Sequence, residues 1–248
     1  MKQSNAYILA YTVAVTFFCA LLLSAVTLGL KERQLENIEF ERKSSILSTV
    51  MELKDDTDVK EVYAKRVRGY VVNYEGKVIE GVAPEKVDVA KEYKKSPESR
   101  YLPIYEIVSE SDPNEVEYYV FPLYGYGLWD NIWGYVSLKA DLNTIYGTNF
   151  AHKSETPGLG ARIATEEIQK RFSGKKIFNQ QGEFVSVEMQ KGEGMDYSND
   201  PHKVDGMSGA TITGRGLNQM LKEYLGCYIN FIKSKQNNLS FIERVALY

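Results

Sequence analysis

No charged residue interrupts the chain between Ala6 and Leu30, and a run of that length and polarity has one fold open to it in a bilayer. Hydrocarbon offers no water to satisfy backbone N–H and C=O groups, so the run must be an α-helix. At about 1.5 Å per residue it crosses a core of roughly 30 Å. A cleaved signal peptide predicts a shorter apolar core followed by small residues, and no convincing cleavage site follows Leu22. A lipoprotein signal fails as well, because Phe17 and Phe18 precede Cys19 where small residues belong. Residues 6–30 are therefore expected to be a permanent membrane anchor behind a short terminus, residues 1–5. Lys2 on one side and Lys31 and Arg33 on the other leave the orientation open.

Beyond the anchor, charges alternate with Leu35, Ile38, Ile46, Leu47, Val50 and Leu53, which predicts a helical stalk over residues 31–57 that ends in the polar turn Asp55-Asp56-Thr57-Asp58. That acidic turn lacks the glycine and distal glutamate of a calcium loop. Residues 58–235 carry short runs of period two and read as a sheet-bearing domain. Strands are expected at 69–73 and 77–80 around Glu75-Gly76, then at 102–108 and 115–123 as a hairpin, then at 132–138 and 144–150. Residues 83–100 read as loop with one exposed helix. A helix is expected over 161–172, a strand through Val185, Val187 and Met189, and a last helix from Ser208 to about Lys233. Residues 236–248 read as an extension without an assigned role.

Composition removes several function classes. A formal charge of −3 with mixed signs provides no basic field for nucleic acid. Cys19 lies inside the anchor, so Cys227 has no partner for a disulfide in the soluble part. Two cysteines cannot hold an iron–sulfur cluster, and His152 and His202 have no ligand cluster at zinc spacing. Gly125-x-Gly127 lacks the third glycine and the parallel strand of a dinucleotide fold.

One stretch concentrates chemistry. Asp205-Gly206-Met207-Ser208-Gly209-Ala210-Thr211-Ile212-Thr213 places a carboxylate, small residues and hydroxyls just before helix-periodic Leu217, Met220, Leu221, Tyr224 and Leu225. Ser208 is a candidate cap, and Thr211 falls in the first turn, where free amides and the helix dipole favour a phosphate. By local physics alone this remains an ordinary helix start. Ser154-Glu155-Thr156-Pro157-Gly158-Leu159-Gly160 reads likewise as a strand-to-helix connector. Trp129 reads equally well as a core aromatic.

Asp-x-x-Ser-Gly-Ala-Thr resembles the flavinylation motif of two sets of FMN-binding domains: those of NqrC, the C subunit of the Na+-translocating NADH:quinone reductase, and those of the G subunit of the related Rnf complex. Glu155-Thr-Pro-Gly-Leu-Gly160 resembles a second hallmark of these domains, and Gly127-Leu128-Trp129 a third. The stretch Leu30-Lys-x-x-Gln-x-x-Asn37 is similar to NqrC, as is the pair Asn143-Thr144, whereas Ala151 to Lys153 departs from the family's usual pattern. The resemblance implies an α+β protein, with a single N-terminal transmembrane helix followed by a mixed α/β FMN-binding domain on a mainly antiparallel sheet. It implies FMN held covalently, as a phosphoester on Thr211, by a dedicated flavin transferase. Asp205, Ser208, Gly209, Ala210, Thr213, Glu155, Thr156, Gly158, Leu159, Gly160, Leu128 and Trp129 are the implied cofactor neighbours, and Glu155 is expected to set negative charge near the ring and oppose its anionic reduced form.

The implied role is an electron relay in a multi-subunit pump of the cell inner membrane that couples NADH oxidation and ubiquinone reduction to Na+ export. Partner subunits, the transferase and lipid would surround it, with residues 1–5 cytoplasmic and the FMN domain on the outer face. NADH oxidation itself would fall to a partner. The alternatives are an FMN carrier like the Rnf G subunit, serving an Rnf-type ferredoxin:NAD oxidoreductase, a stand-alone flavin reductase, and an anchored non-redox binding module.

Overall fold

The computed structural model describes residues 4–246, and side chains through residue 238. Helix α1 runs from Asn5 to Ser48 without a break and is the one described helix long and apolar enough to cross a membrane. Its hydroxyls are satisfied internally, since Thr12, Thr16 and Thr27 donate to the carbonyls of Ile8, Thr12 and Leu23. The expected stalk helix stops at Ser48, short of Leu53. The Thr49 hydroxyl donates to Ile46 O at 2.7 Å, and the Ser137 hydroxyl donates to Thr49 O at 2.9 Å, which withdraws that carbonyl from the helical ladder.

Residues from Ser44 onward form one compact unit. Helix α2, Val59–Arg66, lies outside the sequence expectations; Asp58 caps it by accepting from the amides of Lys60 and Glu61, each at 3.0 Å. Five strands follow, β1 (Val67–Val72), β2 (Leu102–Val108), β3 (Val116–Tyr126), β4 (Asn131–Lys139) and β5 (Ile145–His152), each antiparallel to the last in the order β1-β2-β3-β4-β5. The hairpin expected from 102–108 and 115–123 is present as β2–β3, and the strands expected at 132–138 and 144–150 are present as β4 and β5. Residues 77–80 pair only through an isolated bridge between Val72 and Val78. The stretch 83–100 folds into short 3-10 turns and helix α3, Val89–Tyr93, and it is not merely solvated, since Glu92 and Arg100 are buried.

Period two on β3 sends Tyr119, Phe121 and Leu123 to one face and Val120 to the other. The first face packs under the C-terminal helices. The second is covered by Ile46, Leu47, Val59 and Tyr63. The helix expected over 161–172 is two pieces, a 3-10 turn Gly160–Ala164 and α4, Glu166–Lys170; they separate where the Thr165 hydroxyl bonds back to Arg162 O. Of the strand expected through Val185 only β6, Glu188–Met189, forms. Ser186 adopts a left-handed φ of 66° that breaks the extended run, and the remaining β6 pairs in parallel with β7, Lys203–Val204.

The last helix is also segmented, into α5 (Thr211–Gln219), a π turn (Met220–Tyr224) and α6 (Ile229–Ala246). The expected extension 236–248 thus continues α6 as far as Ala246. The expectations for residues 1–3 and 247–248 lie outside the described residues.

Tyr228 closes a defect that sequence alone creates. Continuing the Tyr105↔Val120 register places Pro103 opposite Pro122, two residues with no N–H to exchange. The buried Tyr228 hydroxyl donates toward both carbonyls, at 3.2 Å to Pro103 O and 3.0 Å to Pro122 O. Tyr228→Phe leaves two buried carbonyls unpaired and is expected to cost about 1–3 kcal/mol, read as a lower denaturation midpoint at unchanged slope; an unchanged midpoint would refute this role.

Candidate functional site

Two turns of one kind meet at the site. Ala210 N donates to Met207 O, and Gly209 takes φ 73° at the third position of that turn; Leu159 N donates to Thr156 O around Pro157 and Gly158, whose φ is 75°. A left-handed third residue defines a type II turn and calls for glycine. The turns abut: a side chain on Gly209 would come within 2.8 Å of Leu159 Cδ2. The first turn delivers the chain into α5 at Thr211.

Ala210, not Ser208, is the N-cap of α5, and it supplies no side-chain acceptor. Among the described residues no side chain accepts from the amides of Thr211, Ile212 or Thr213, and the half-exposed Thr211 hydroxyl has no hydrogen-bond partner. The expected Ser208 cap is therefore corrected. Ser208 is exposed, and its amide donates to Glu193 Oε2 at 3.0 Å.

The three sequence motifs are joined by one carboxylate. Glu155 is 4% exposed. Its Oε1 accepts from the amides of Leu128 (2.8 Å) and Trp129 (3.0 Å), and its Oε2 from the Thr213 hydroxyl (2.6 Å). Burial pushes this carboxyl up, but donation from Thr213 and from the Trp129 and Leu128 amides outweighs it, and the net direction is down. Gly160 lies against Glu155 and Thr213 so closely that any side chain would collide with both. Thr213, at 1% exposure, is thereby committed to Glu155 and does not face outward.

Trp129 is not a core residue. It is 68% exposed, and its Nε1 donates to Thr156 Oγ1 at 3.2 Å. Leu128, Leu159 and Ile212 are exposed beside these motif residues in the sequence, at 44%, 41% and 54%. Large apolar groups held open by a polar scaffold mark a surface built to be covered by a ligand or partner.

Asp205 serves the scaffold. Its carboxylate accepts from the amides of Gly194 (2.8 Å) and Met195 (3.1 Å), and Arg171 stands 3.6 Å away. Glu193, Arg162 and Arg171 form a network around it that sequence reading missed. A glutamate isolated between Gly192 and Gly194 was the available signal. Gly216 was missed too; it lets α5 lie directly on Tyr126 O and Gly127 Cα. No group of three or more His, Cys, Asp or Glu side chains among the described residues is arranged to hold a metal ion.

The antiparallel meander has no parallel strand–helix unit at Gly125-x-Gly127, in keeping with the rejected dinucleotide fold. A family model described as FMN-binding domain matches residues 127–226, a span that contains all three motifs. The C subunit of the Na(+)-translocating NADH-quinone reductase of Haemophilus ducreyi is 31% identical over 243 residues, 91% of each chain. Among solved structures, the C subunit of the same enzyme from Parabacteroides distasonis shares 34% identity at a TM-score of 0.71, over 82% of this chain and 96% of that one. Shewanella oneidensis NqrC shares 26% identity at a TM-score of 0.66, over 79% and 97%. An uncapped helix start bearing a free threonine hydroxyl, tied through Glu155 to an exposed tryptophan, thus occurs in a chain that belongs to the NqrC family of Na(+)-translocating NADH-quinone reductase subunits.

Proposed function

We propose that this chain is the FMN-carrying electron relay of a membrane Na+-translocating NADH:quinone reductase, with the FMN phosphate esterified to Thr211. The start of α5 carries the reading. A phosphate on Thr211 Oγ1 would lie beside amides that no side chain caps, at the positive end of the helix dipole. Residues of the kind expected around a flavin ring are in place: the exposed faces of Trp129, Leu128 and Leu159 suit an aromatic plane. Bound FMN supplies the electron exchange that no side chain here provides.

The chain's own residues position and expose. Glu155 uses both oxygens inside the protein, so its part is to fix the Leu128-Trp129 loop against α5 more than to lend charge. Tethering through Thr211 prevents loss of the cofactor, and the half-open surface leaves an approach for donor and acceptor subunits. A flavin transferase is the maturation partner, lipid surrounds residues 6–30 of α1, and the domain after Leu30 lies on the outer face with Met1 in the cytoplasm.

Three outcomes check this. Thr211→Ala is expected to lose all covalent flavin when made beside the transferase; peptide mass spectrometry showing the FMN mass on a peptide with unmodified Thr211 would falsify the assignment. A cysteine placed near Asp55 is expected to react with an impermeant thiol reagent from the outer side only, and cytoplasmic labelling would overturn the orientation. The third concerns Glu155, whose folded carboxyl lies below its ordinary 4.5. Its contribution is full above that value and is lost as pH falls through the lowered one. Wild type should therefore lose stability to acid more steeply below pH 4.5 than Glu155→Gln, with urea midpoints as the measure; parallel profiles would sink the idea.

A further inference from the structure

The Glu193 carboxylate is held from three directions. Arg162 grips it with both guanidinium nitrogens, Nη1 to Oε2 at 2.9 Å and Nη2 to Oε1 at 2.6 Å. Arg171 Nη2 donates to Oε1 at 2.9 Å, and the Ser208 amide to Oε2 at 3.0 Å. Paired arginines and an amide acting together, with Arg162 contributing most, drive this carboxyl far below its ordinary range. Arg171 also reaches Asp205 O at 3.3 Å and Gly206 O.

These contacts converge on one short piece of backbone. Asp205 holds the loop around Gly194 through two amides, while Glu193 on that loop returns to hold Ser208. Gly206 is pressed against Gln190 O and Gly192 O with no room for a side chain. The turn 207–210 that delivers Thr211 is therefore braced from outside, by Glu193 on a neighbouring loop and the two arginines that hold it. Its own bracing is the single bond from Ala210 N to Met207 O, since Ser208 makes no cap and Ala210 can make none.

We infer that Glu193 is the positioning residue for covalent attachment at Thr211: by fixing the Ser208 amide, and through it the turn, it presents the Thr211 hydroxyl to the flavin transferase. This rests on the assignment of Thr211 as the acceptor. Joining free FMN to a hydroxyl would have to expel water, a poor leaving group, so the donor is a flavin dinucleotide with an activated pyrophosphate. The Thr211 Oγ1–P bond forms as the pyrophosphate P–O bond breaks. A nucleoside monophosphate leaves, and the hydroxyl proton passes to a base on the transferase or to water. No electron is exchanged. In-line attack depends on placement of the hydroxyl, and misplacement by about 1 Å costs on the order of 10²-fold.

The surface position of Glu167 supplies a control. It pairs with Arg171 at 2.6 Å and Arg162 at 3.4 Å but does not touch Ser208. The experiment uses the full-length chain in detergent, flavin adenine dinucleotide and the transferase, with covalent FMN per chain followed over time. Glu193→Gln and Glu193→Asp are each expected to lower the transferase kcat by about tenfold or more at little-changed KM for the chain. Aspartate keeps a charge for the arginines but withdraws the oxygen from the Ser208 amide. Glu167→Gln is expected to match wild type. Hydrogen exchange at the Ser208 amide should speed up in both Glu193 variants while the melting temperature of the aspartate variant stays near wild type.

Wild-type rates in both Glu193 variants, or an equal loss in Glu167→Gln, would overturn the inference. So would a melting temperature that falls in step with the rate in both variants. Failure of the underlying assignment looks different: Thr211→Ala would then still take up flavin in the same assay, whatever Glu193 does.

Discussion

A buried carboxylate is costly to hold unless each oxygen finds a donor. Glu155 meets that condition with donors drawn from separate stretches of chain, the loop at Leu128 and Trp129 on one side and Thr213 on α5 on the other, while its own turn carries the carboxylate between them. Removal of the Thr213 hydroxyl would leave Oε2 without its donor in the interior, whereas on the loop side Oε1 is shared between two amides. The exposed apolar surface depends on that bond set. Trp129 and Leu128 can stand in the open because their backbone, and not their side chains, is anchored inside.

The acceptor end is organised on the opposite logic. Ser208, Gly209 and Ala210 leave α5 without a side-chain cap. Stability given up at that helix end has to be recovered nearby. The recovery is visible in the ion network of Glu193, Arg162 and Arg171 and in Asp205, which secure the turn from the adjacent loop. A surface that must admit a phosphate cannot also fill its own amides.

Much of this was legible in the residues. Period two predicted the β2–β3 hairpin and the strands β4 and β5, because alternate residues go to opposite faces and that pattern survives without knowledge of partners. The motifs around Glu155, Trp129 and Thr211 located the site by resemblance. The remainder depended on distant partners. The glycines on either side of Glu193 mark a tight loop but not what its carboxylate meets, since the arginines that hold it come from about twenty to thirty positions earlier. The end of α1 was misplaced for the same reason: Ser137 reaches Thr49 O from β4. Ser208 looked like a cap by type, yet the turn through Gly209 moved the helix start two residues past it.

The π turn at Met220–Tyr224 has a geometric consequence for the whole C-terminal half. Such a turn inserts one residue more than an α-helix of equal rise would hold, and each residue turns the helix face by about 100°. Leu217, Met220, Leu221, Tyr224, Leu225 and Tyr228 are all buried across it, at the three- and four-residue steps of one helix face, and the i→i−3 bonds from the amides of Cys227 and Tyr228 to Tyr224 O and Leu225 O wind the chain tighter just after the slack turn. The slack turn and the tight turn after it thus offset each other, so that the helix fixed at the flavin motif and the helix fixed on the strands bury one continuous face.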